Sequence, residues 1–232
     1  MNQISLAEKA YATIKKDIIT CVLDPGSQIA QSKLVQRYDF GITPIREALK
    51  RLEQEGYVQS VPRFGYIITP INIKDIDDIY DLRLILEKSS VRLAAQRASD
   101  KQLAQLLERA NFSYRFKDTE SYGIFLELNN AFHVAIALTS GNRKLADTLA
   151  NLLNEMTRIF HLGLDLRDSA EEMRNEHLAL AEAISMRNVD DAEQIVEDQI
   201  LSSRRRVLEM FVQRRDHKAM NEIGFPNVSD QN

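Results

Sequence analysis

The stretch Thr43-Pro44-Ile45-Arg46-Glu47-Ala48-Leu49-Lys50-Arg51-Leu52-Glu53-Gln54-Glu55-Gly56 decides how the first third of this chain is read. Ile45, Ala48, Leu49 and Leu52 recur at three- and four-residue steps, which places them on one stripe of a helix. Thr43, Arg46, Glu47 and Lys50 fall on the opposite face and offer a hydroxyl and two cations outward. Thr43 before Pro44 reads as an N-cap and first helical residue, because proline's missing N–H would have no partner there anyway. Gly56 ends the helix.

Upstream, Ala10, Ile14 and Ile18, with Tyr11 and Val22, imply a helix over about 7–21 that stops at Asp24-Pro25-Gly26. A short helix over 31–38 carries Leu34, Val35 and Tyr38, and a turn through Asp39-Phe40-Gly41 leads into the helix above. Downstream, Tyr57–Val61 and Tyr66–Thr69 read as two strands around Pro62-Arg63-Phe64-Gly65. Helix, helix, turn, helix and hairpin make a winged helix-turn-helix over 1–71. Such a module puts its last helix in the major groove of DNA and its wing against the backbone or minor groove. Residues 1–70 hold nine Lys/Arg against seven Asp/Glu, while the whole chain has a net charge of −4. A nucleic-acid footprint therefore belongs in this third. A solvated polar face accounts for the same cations, so shape and charge alone leave both readings open.

From Ile73 onward proline is absent until Pro226 and nothing reads as a strand. Helices are expected at about 74–98, 101–117, 120–139, 142–162, 169–187 and 189–214. Together they form an all-α antiparallel bundle over 72–217, followed by a polar, frayed tail at 218–232. The fold class is mainly α. No apolar run approaches the roughly 18 residues of a membrane span, and the charged N-terminal helix is not a secretory signal. Cys21 stands alone, which rules out an internal disulfide and a cysteine-based zinc cluster. A cytoplasmic protein is expected.

The first third resembles the GntR regulators. The resemblance is carried by Leu23-Asp24-Pro25-Gly26, Leu34-Val35-Gln36-Arg37-Tyr38, the Thr43–Val58 segment and Arg63-Phe64-Gly65. It implies that Thr43 and Arg46 contact an operator and that Arg63 to Gly65 form the wing tip. Lys33 and Lys50 complete the expected DNA-binding set. The family commonly has Ser-Arg just before Thr-Pro, whereas Gly41-Ile42 stand here. An aliphatic side chain cannot make a bidentate guanine contact. An operator unlike the common family sequence is expected, with Ile42 against a thymine methyl.

The helical part resembles the FCD subfamily, whose helical domain binds effectors. The residues that carry this are Arg83-Leu84-Ile85-Leu86-Glu87, Asn129-Asn130-Ala131-Phe132-His133, Ser140-Gly141-Asn142 and Glu176-His177-Leu178-Ala179-Leu180. The resemblance implies a homodimer on near-palindromic double-stranded DNA, with Arg83 gripping an effector, expected to be a carboxylic acid, bidentately. A surface pair between Arg83 and Glu87 is the plainer alternative. Many members hold a divalent metal through an acidic residue and three histidines, at positions that fall here on Asn129, His133, His177 and Gln199. Two of those ligands are thus replaced by amides.

Each of the four sits on the apolar stripe of its helix. His133 and Asn129 lie with Leu126, Ile136 and Ala137, His177 with Met173, Leu180, Ala181 and Ile184, and Gln199 with Ala192, Ile195 and Val196. Three occupants remain open: a divalent metal such as Zn or Ni, an organic effector without one, or water. A metal would need a further ligand from the effector, Glu127, Glu155 or His161, because amide oxygens are poor donors. Asn142 is expected to cap the next helix, and Arg204-Arg205-Arg206 to form a solvated face. A DNA-binding regulator modulated by an effector is the leading reading. A constitutive or metal-dependent repressor is the alternative, and a metal-dependent enzyme on a helical bundle is remote. The chain has no Glu-x-x-His pair, Gly-rich phosphate loop or G-x-S-x-G.

Overall fold

The computed structural model describes residues 4–164 and 167–222. They form two compact units, one ending at Asn72 and the other beginning at Ile73.

In the first unit α1 (Leu6–Ile19), α2 (Gln31–Tyr38) and α3 (Ile42–Gln54) pack on a small sheet of β1 (Gln28–Ile29), β2 (Val58–Val61) and β3 (Gly65–Ile68). Ser5 caps α1 by accepting from Glu8 N at 3.1 Å. The helix stops at Ile19, short of the expected Cys21, whose backbone turns left-handed at φ 55°. Asp39 ends α2 in the same region, at φ 54°. The start of α3 differs from the sequence expectation. Gly41 is its N-cap and Ile42 its first residue, so Thr43 is not the cap. Pro44 still falls in the first turn, where its lost N–H costs nothing. Ile14, Ile18, Ile45, Leu49 and Leu52 are fully buried between α1 and α3, with Ile68 of the sheet beneath them.

The sheet order is β1-β3-β2, all antiparallel, with Gln28 opposite Ile67 and Val61 opposite Gly65. The two-residue β1 gives no periodic signal, and the sequence did not announce it. It constrains Gly65, whose φ is +91° and whose added Cβ would lie 2.7 Å from Ile29 O. The glycine lets the wing strand close on β1.

The second unit contains α4 (Ile73–Arg97), α5 (Asp100–Arg109), α6 (Thr119–Thr139), α7 (Arg143–Leu164), α8 (Ala170–Ser185) and α9 (Val189–Glu222). α4 packs on α9, α6 and α7, and α8 packs on α9 and α5. Between α4 and α9 the ion pairs fall at Arg92 with Glu193, Lys88 with Glu197, and Arg204 with Asp77 and Asp81. The partner number rises as the α4 number falls, so the two helices run antiparallel. Such half-exposed pairs add little stability each, and they matter here as register marks.

α5 opens on a capping box in which Ser99 and Gln102 satisfy each other's backbone N–H. It ends at Arg109, eight residues before the expected 117. Alternate residues Ala110, Phe112 and Tyr114 are buried there, a two-residue step that belongs to extended chain. Ser121 Oγ accepts from Arg115 N at 2.7 Å and Tyr122 OH accepts from Lys117 N at 2.6 Å, so side chains replace the missing helical bonds. Asn142 caps α7 by accepting from Leu145 N at 3.2 Å. α9 continues to Glu222 through the start of the expected frayed tail, the rest of which lies outside the described residues.

Gly65→Ala is expected to destabilise the first unit by more than about 2 kcal/mol, through strain and the close approach to β1. Gly56→Ala is the control. Its φ is +78°, yet nothing lies within 4 Å of an added Cβ. Only the left-handed penalty of about 1 kcal/mol applies. Hydrogen-exchange protection across α1 and α3 reads both, and equal losses would mean that β1 does not constrain the wing.

Candidate functional site

Two sites emerge, one in each unit. In the first, α3 separates its cations by face. Arg51, on the inner flank, reaches Glu8 Oε2 at 2.9 Å and Glu55 Oε1 at 3.2 Å, and its guanidinium stacks 3.6 Å from the centre of the Tyr11 ring. Arg46 and Lys50 are exposed and make no ion pair among the described residues. Thr43 lies exposed beside them, as do Lys33 on α2 and Arg63 at the wing tip. Ile42 is 54% exposed. An apolar side chain left in water at the start of a helix suits a thymine methyl. Gly65 belongs to the wing through the packing described above. Phe64, within the expected wing tip but outside the expected contact set, is 64% exposed between Arg63 and Gly65. Gln28 Nε2 donates to Phe64 O at 2.6 Å and holds the tip in place.

The second site lies inside the helical unit, where helical periodicity turns polar residues inward. Arg83 is 3% exposed and its Nε donates to Glu87 Oε1 at 2.6 Å. The i,i+4 pair therefore exists, but in the core and not on the surface. The other Glu87 oxygen lies 2.5 Å from His133 Nδ1, a close contact and not an aligned hydrogen bond. Burial would raise the Glu87 carboxyl, but the charges of Arg83 and His133 prevail and hold it down at about 2. His177 is fully buried, and its Nε2 shares a hydrogen bond of 3.0 Å with Asn129 Oδ1. Burial, reinforced by the His133 and Arg83 charges, keeps this ring neutral well below its ordinary range. With Asn129 Nδ2 donating to Asn130 Oδ1 at 3.3 Å, the consistent assignment makes His177 Nε2 the donor.

A cavity opens beside this cluster. It holds about 500 Å³ of unfilled space out to its mouth, but narrows so that only about 30 Å³ admits the centre of a water molecule. The smaller figure describes the room for a guest with the side chains as they stand. Arg83, Asn129 and Gln199 line it, while His133 and His177 stand behind. Arg206 lines it too, at 6% exposure, which corrects the expectation of a solvated Arg204–Arg206 face. Of those three only Arg205 is exposed, and Arg204 is bound to Asp77. Arg206 lies seven residues beyond Gln199 and three beyond Ser203, on one helical face. That spacing was available in the sequence. Gln199 Oε1, Ser169 Oγ and Arg206 Nη2 are buried without a hydrogen-bond partner among the described residues.

The donor set does not fit a resident divalent metal. Among the described residues no group of three or more His, Cys, Asp or Glu is placed to hold one. Of the carboxylates at hand, Glu87 is engaged by Arg83 and His133, and Glu176, whose buried Oε2 stands 3.9 Å from Arg206 Nη2, has its pKa raised by burial, which works against its charged form. Glu127 and Glu155 are exposed and cannot reach inward. His161 is buried and neutral, its pKa lowered to about 4 by burial.

A winged module with a free cationic face, joined to a helical bundle with a buried polar cavity, defines a DNA-binding regulator with a sensing domain. The family model for bacterial regulatory proteins of the gntR family matches residues 6–68, and that for the FCD domain matches residues 78–201. The uncharacterized HTH-type transcriptional regulator YdhC of Bacillus subtilis (strain 168) is 31% identical over 193 residues, 80% of this chain and 84% of that protein. The HTH-type transcriptional repressor GlaR of Escherichia coli (strain K12) is 26% identical over 200 residues, 83% of this chain and 91% of that one. Among solved structures, E. coli McbR/YncC superposes with a TM-score of 0.64 at 20% identity, covering 90% of this chain and all of that one, a likeness of fold. The chain belongs to the GntR family of transcription regulators and carries an FCD domain. It is a DNA-binding regulator whose helical domain binds a small-molecule effector. Among the described residues no helix is long and apolar enough to cross a membrane.

Arg46→Ala is expected to weaken binding to a duplex selected from random sequence by about 1–3 kcal/mol, with stability unchanged within about 0.5 kcal/mol. Arg51→Ala should lower stability more than DNA affinity. Fluorescence anisotropy at fixed salt and thermal melts separate the two, and wild-type affinity in Arg46→Ala would remove that face from the interface.

Glu87 has a folded pKa below its unfolded value. Its contribution is therefore present above about pH 4.5 and is lost as pH falls toward about 2. The shift corresponds to a contribution on the order of 3 kcal/mol. Glu87→Gln should be less stable than wild type at pH 7 and should lose less on acidification. Parallel pH profiles of urea unfolding would show that Glu87 is not a source of the acid sensitivity.

Proposed function

We propose that this regulator binds a near-palindromic operator as a homodimer, and that a small carboxylic acid held by Arg83, without a resident metal, sets its operator affinity. The observation that carries this reading is a buried guanidinium on the wall of a cavity that also holds unpartnered amide and hydroxyl oxygens. Glu87 holds Arg83 from behind and the Phe160 ring lies 5.3 Å from its guanidinium carbon, so the group is aimed before a ligand arrives. A guanidinium fixed in this way recognises a carboxylate through two parallel N–H bonds.

The narrowness of the cavity supplies a switching mechanism. A ligand larger than a water or two enters only when the lining helices or side chains move apart. It therefore binds the wider arrangement better, and this difference in affinity is what shifts a population. Two such chains would place their reading helices on half-sites about one helical turn apart.

The test is a thermal-shift screen of short carboxylic acids on the purified full chain, with and without Zn²⁺ or Ni²⁺, followed by operator titrations. An acid at about 100 times its dissociation constant should stabilise the protein by about 2.7 kcal/mol. The shift should need no metal and should vanish in Arg83→Gln. A shift that requires metal and acid together would restore the four-residue metal site. Operator affinity indifferent to every acid would favour a constitutive repressor.

A further inference from the structure

We propose that the effector carries two anionic groups: a short dicarboxylate bound with one end on Arg83 and the other on Arg206. The inference rests on reading the cavity as the effector site, and it adds the ligand's second charge.

Among the described residues that line the cavity, Arg83 and Arg206 are the two that carry charge, and both are cations. Each is more than nine-tenths buried. The carboxylates that neutralise them lie outside the lining. Glu87 meets Arg83 at 2.6 Å. Glu172 meets Arg206 Nη1 at 3.3 Å, but is itself shared with Arg167 at 2.8 Å. Glu176 stands 3.9 Å from Arg206 Nη2, too far for a hydrogen bond. Arg206 Nη2 is thus a buried, charged donor with no hydrogen-bond partner among the described residues. A guanidinium in that condition favours an anion in the cavity.

The register of α4 and α9 indicates that the two arginines serve opposite ends of a ligand. Tyr80 OH and Ser203 Oγ share a hydrogen bond of 2.8 Å across the helix pair. Arg83 lies three residues beyond Tyr80, and Arg206 three residues beyond Ser203. In antiparallel helices those steps run in opposite directions. At 1.5 Å per residue the two backbone positions stand roughly 9 Å apart along the bundle. The lining also includes Leu126, Leu164 and Val207, apolar surface that suits a methylene spacer. Gln199 and Ser169 offer unpartnered oxygens to a hydroxyl or to a bridging water.

The experiment uses the full chain and two series of acids: malonate, succinate, glutarate and adipate against propionate, butyrate, valerate and hexanoate. Dissociation constants come from calorimetric titration at constant ionic strength. At least one dicarboxylate is expected to bind tenfold or more tightly than the monocarboxylate of the same chain length. Arg206→Gln should reduce dicarboxylate affinity at least tenfold more than monocarboxylate affinity. Circular dichroism melts and operator binding without acid establish that this variant folds, and the wild-type comparison stands without it. Equal affinity for the two series, or a dicarboxylate preference that survives Arg206→Gln, overturns the inference and leaves the carboxylate reading of Arg83 intact. If no acid of either series binds, both readings fall.

Discussion

A guanidinium and a carboxylate, each about 97% shielded from water, lie one helical turn apart on α4, and neither is tolerable alone. Taking either charge out of water costs several kcal/mol, and removing one partner strands the other. The remaining polar core is arranged around this pair. The free oxygen of Glu87 meets the ring of His133 on α6. That ring stands edge-on to His177 on α8, with centroids 5.4 Å apart. His177 is bonded to Asn129, and Asn129 to Asn130. Asn130 in turn donates to Leu153 O and Thr157 Oγ1 on α7 at 3.4 Å each. One buried ion pair thus begins a series of contacts that touches four helices. Few arrangements bring these groups together, so the contacts constrain how the bundle packs, while the His133 ring and His177 Nδ1 remain without a hydrogen-bond partner among the described residues.

The first unit manages charge in the opposite way, by leaving it uncompensated at the surface. Arg51 is held by two carboxylates and an aromatic face, which ties α3 to α1. Arg46 lies five residues earlier, about two-fifths of a turn farther round the helix than one full turn would bring it, and makes no ion pair among the described residues. The ion-paired cation and the unpaired cations thereby fall on different faces of α3. The wing follows the same division. Gly65 and Gln28 secure its geometry against β1, while Arg63 and Phe64 face solvent.

What was legible in the sequence was what helical period can carry. The apolar stripe of Ile45, Ala48, Leu49 and Leu52 located α3, and the inward placement of Asn129, His133, His177 and Gln199 followed from the same rule. Two features fell outside it. β1 is two residues long and exists through its partner β3, so no local pattern marks it. The segment after Arg109 runs through Asn111, Phe112, Ser113 and Tyr114, which are weak helix formers, and Phe112 and Tyr114 insert into the core at extended spacing. Arg206 was read with its charged neighbours as a solvated run, although its position relative to Gln199 and Ser203 placed it inward. The surface pair of Arg83 with Glu87 stood only as the alternative to a pocket, because an i,i+4 pair looks the same in sequence whether it is wet or dry.

The two amides at Asn129 and Gln199 acquire a physical sense beside the arginines. A divalent ion in such a cavity would give an anionic ligand a positive anchor, and would itself need anionic protein donors to be held there. Here the positive charge on the walls comes from Arg83 and Arg206, which need no such donors within the cavity. Adding a dication beside two guanidiniums would raise the local potential, while Glu87 and Glu172 already serve the arginines from outside and burial works against the charged form of Glu176. Neutral amides are compatible with that field. They can orient a bound acid through hydrogen bonds while leaving its charge to be met by the guanidiniums. A site built in this way would discriminate by the number and spacing of anionic groups, because Arg206 Nη2 would stay buried without a hydrogen-bond partner whenever the ligand had only one.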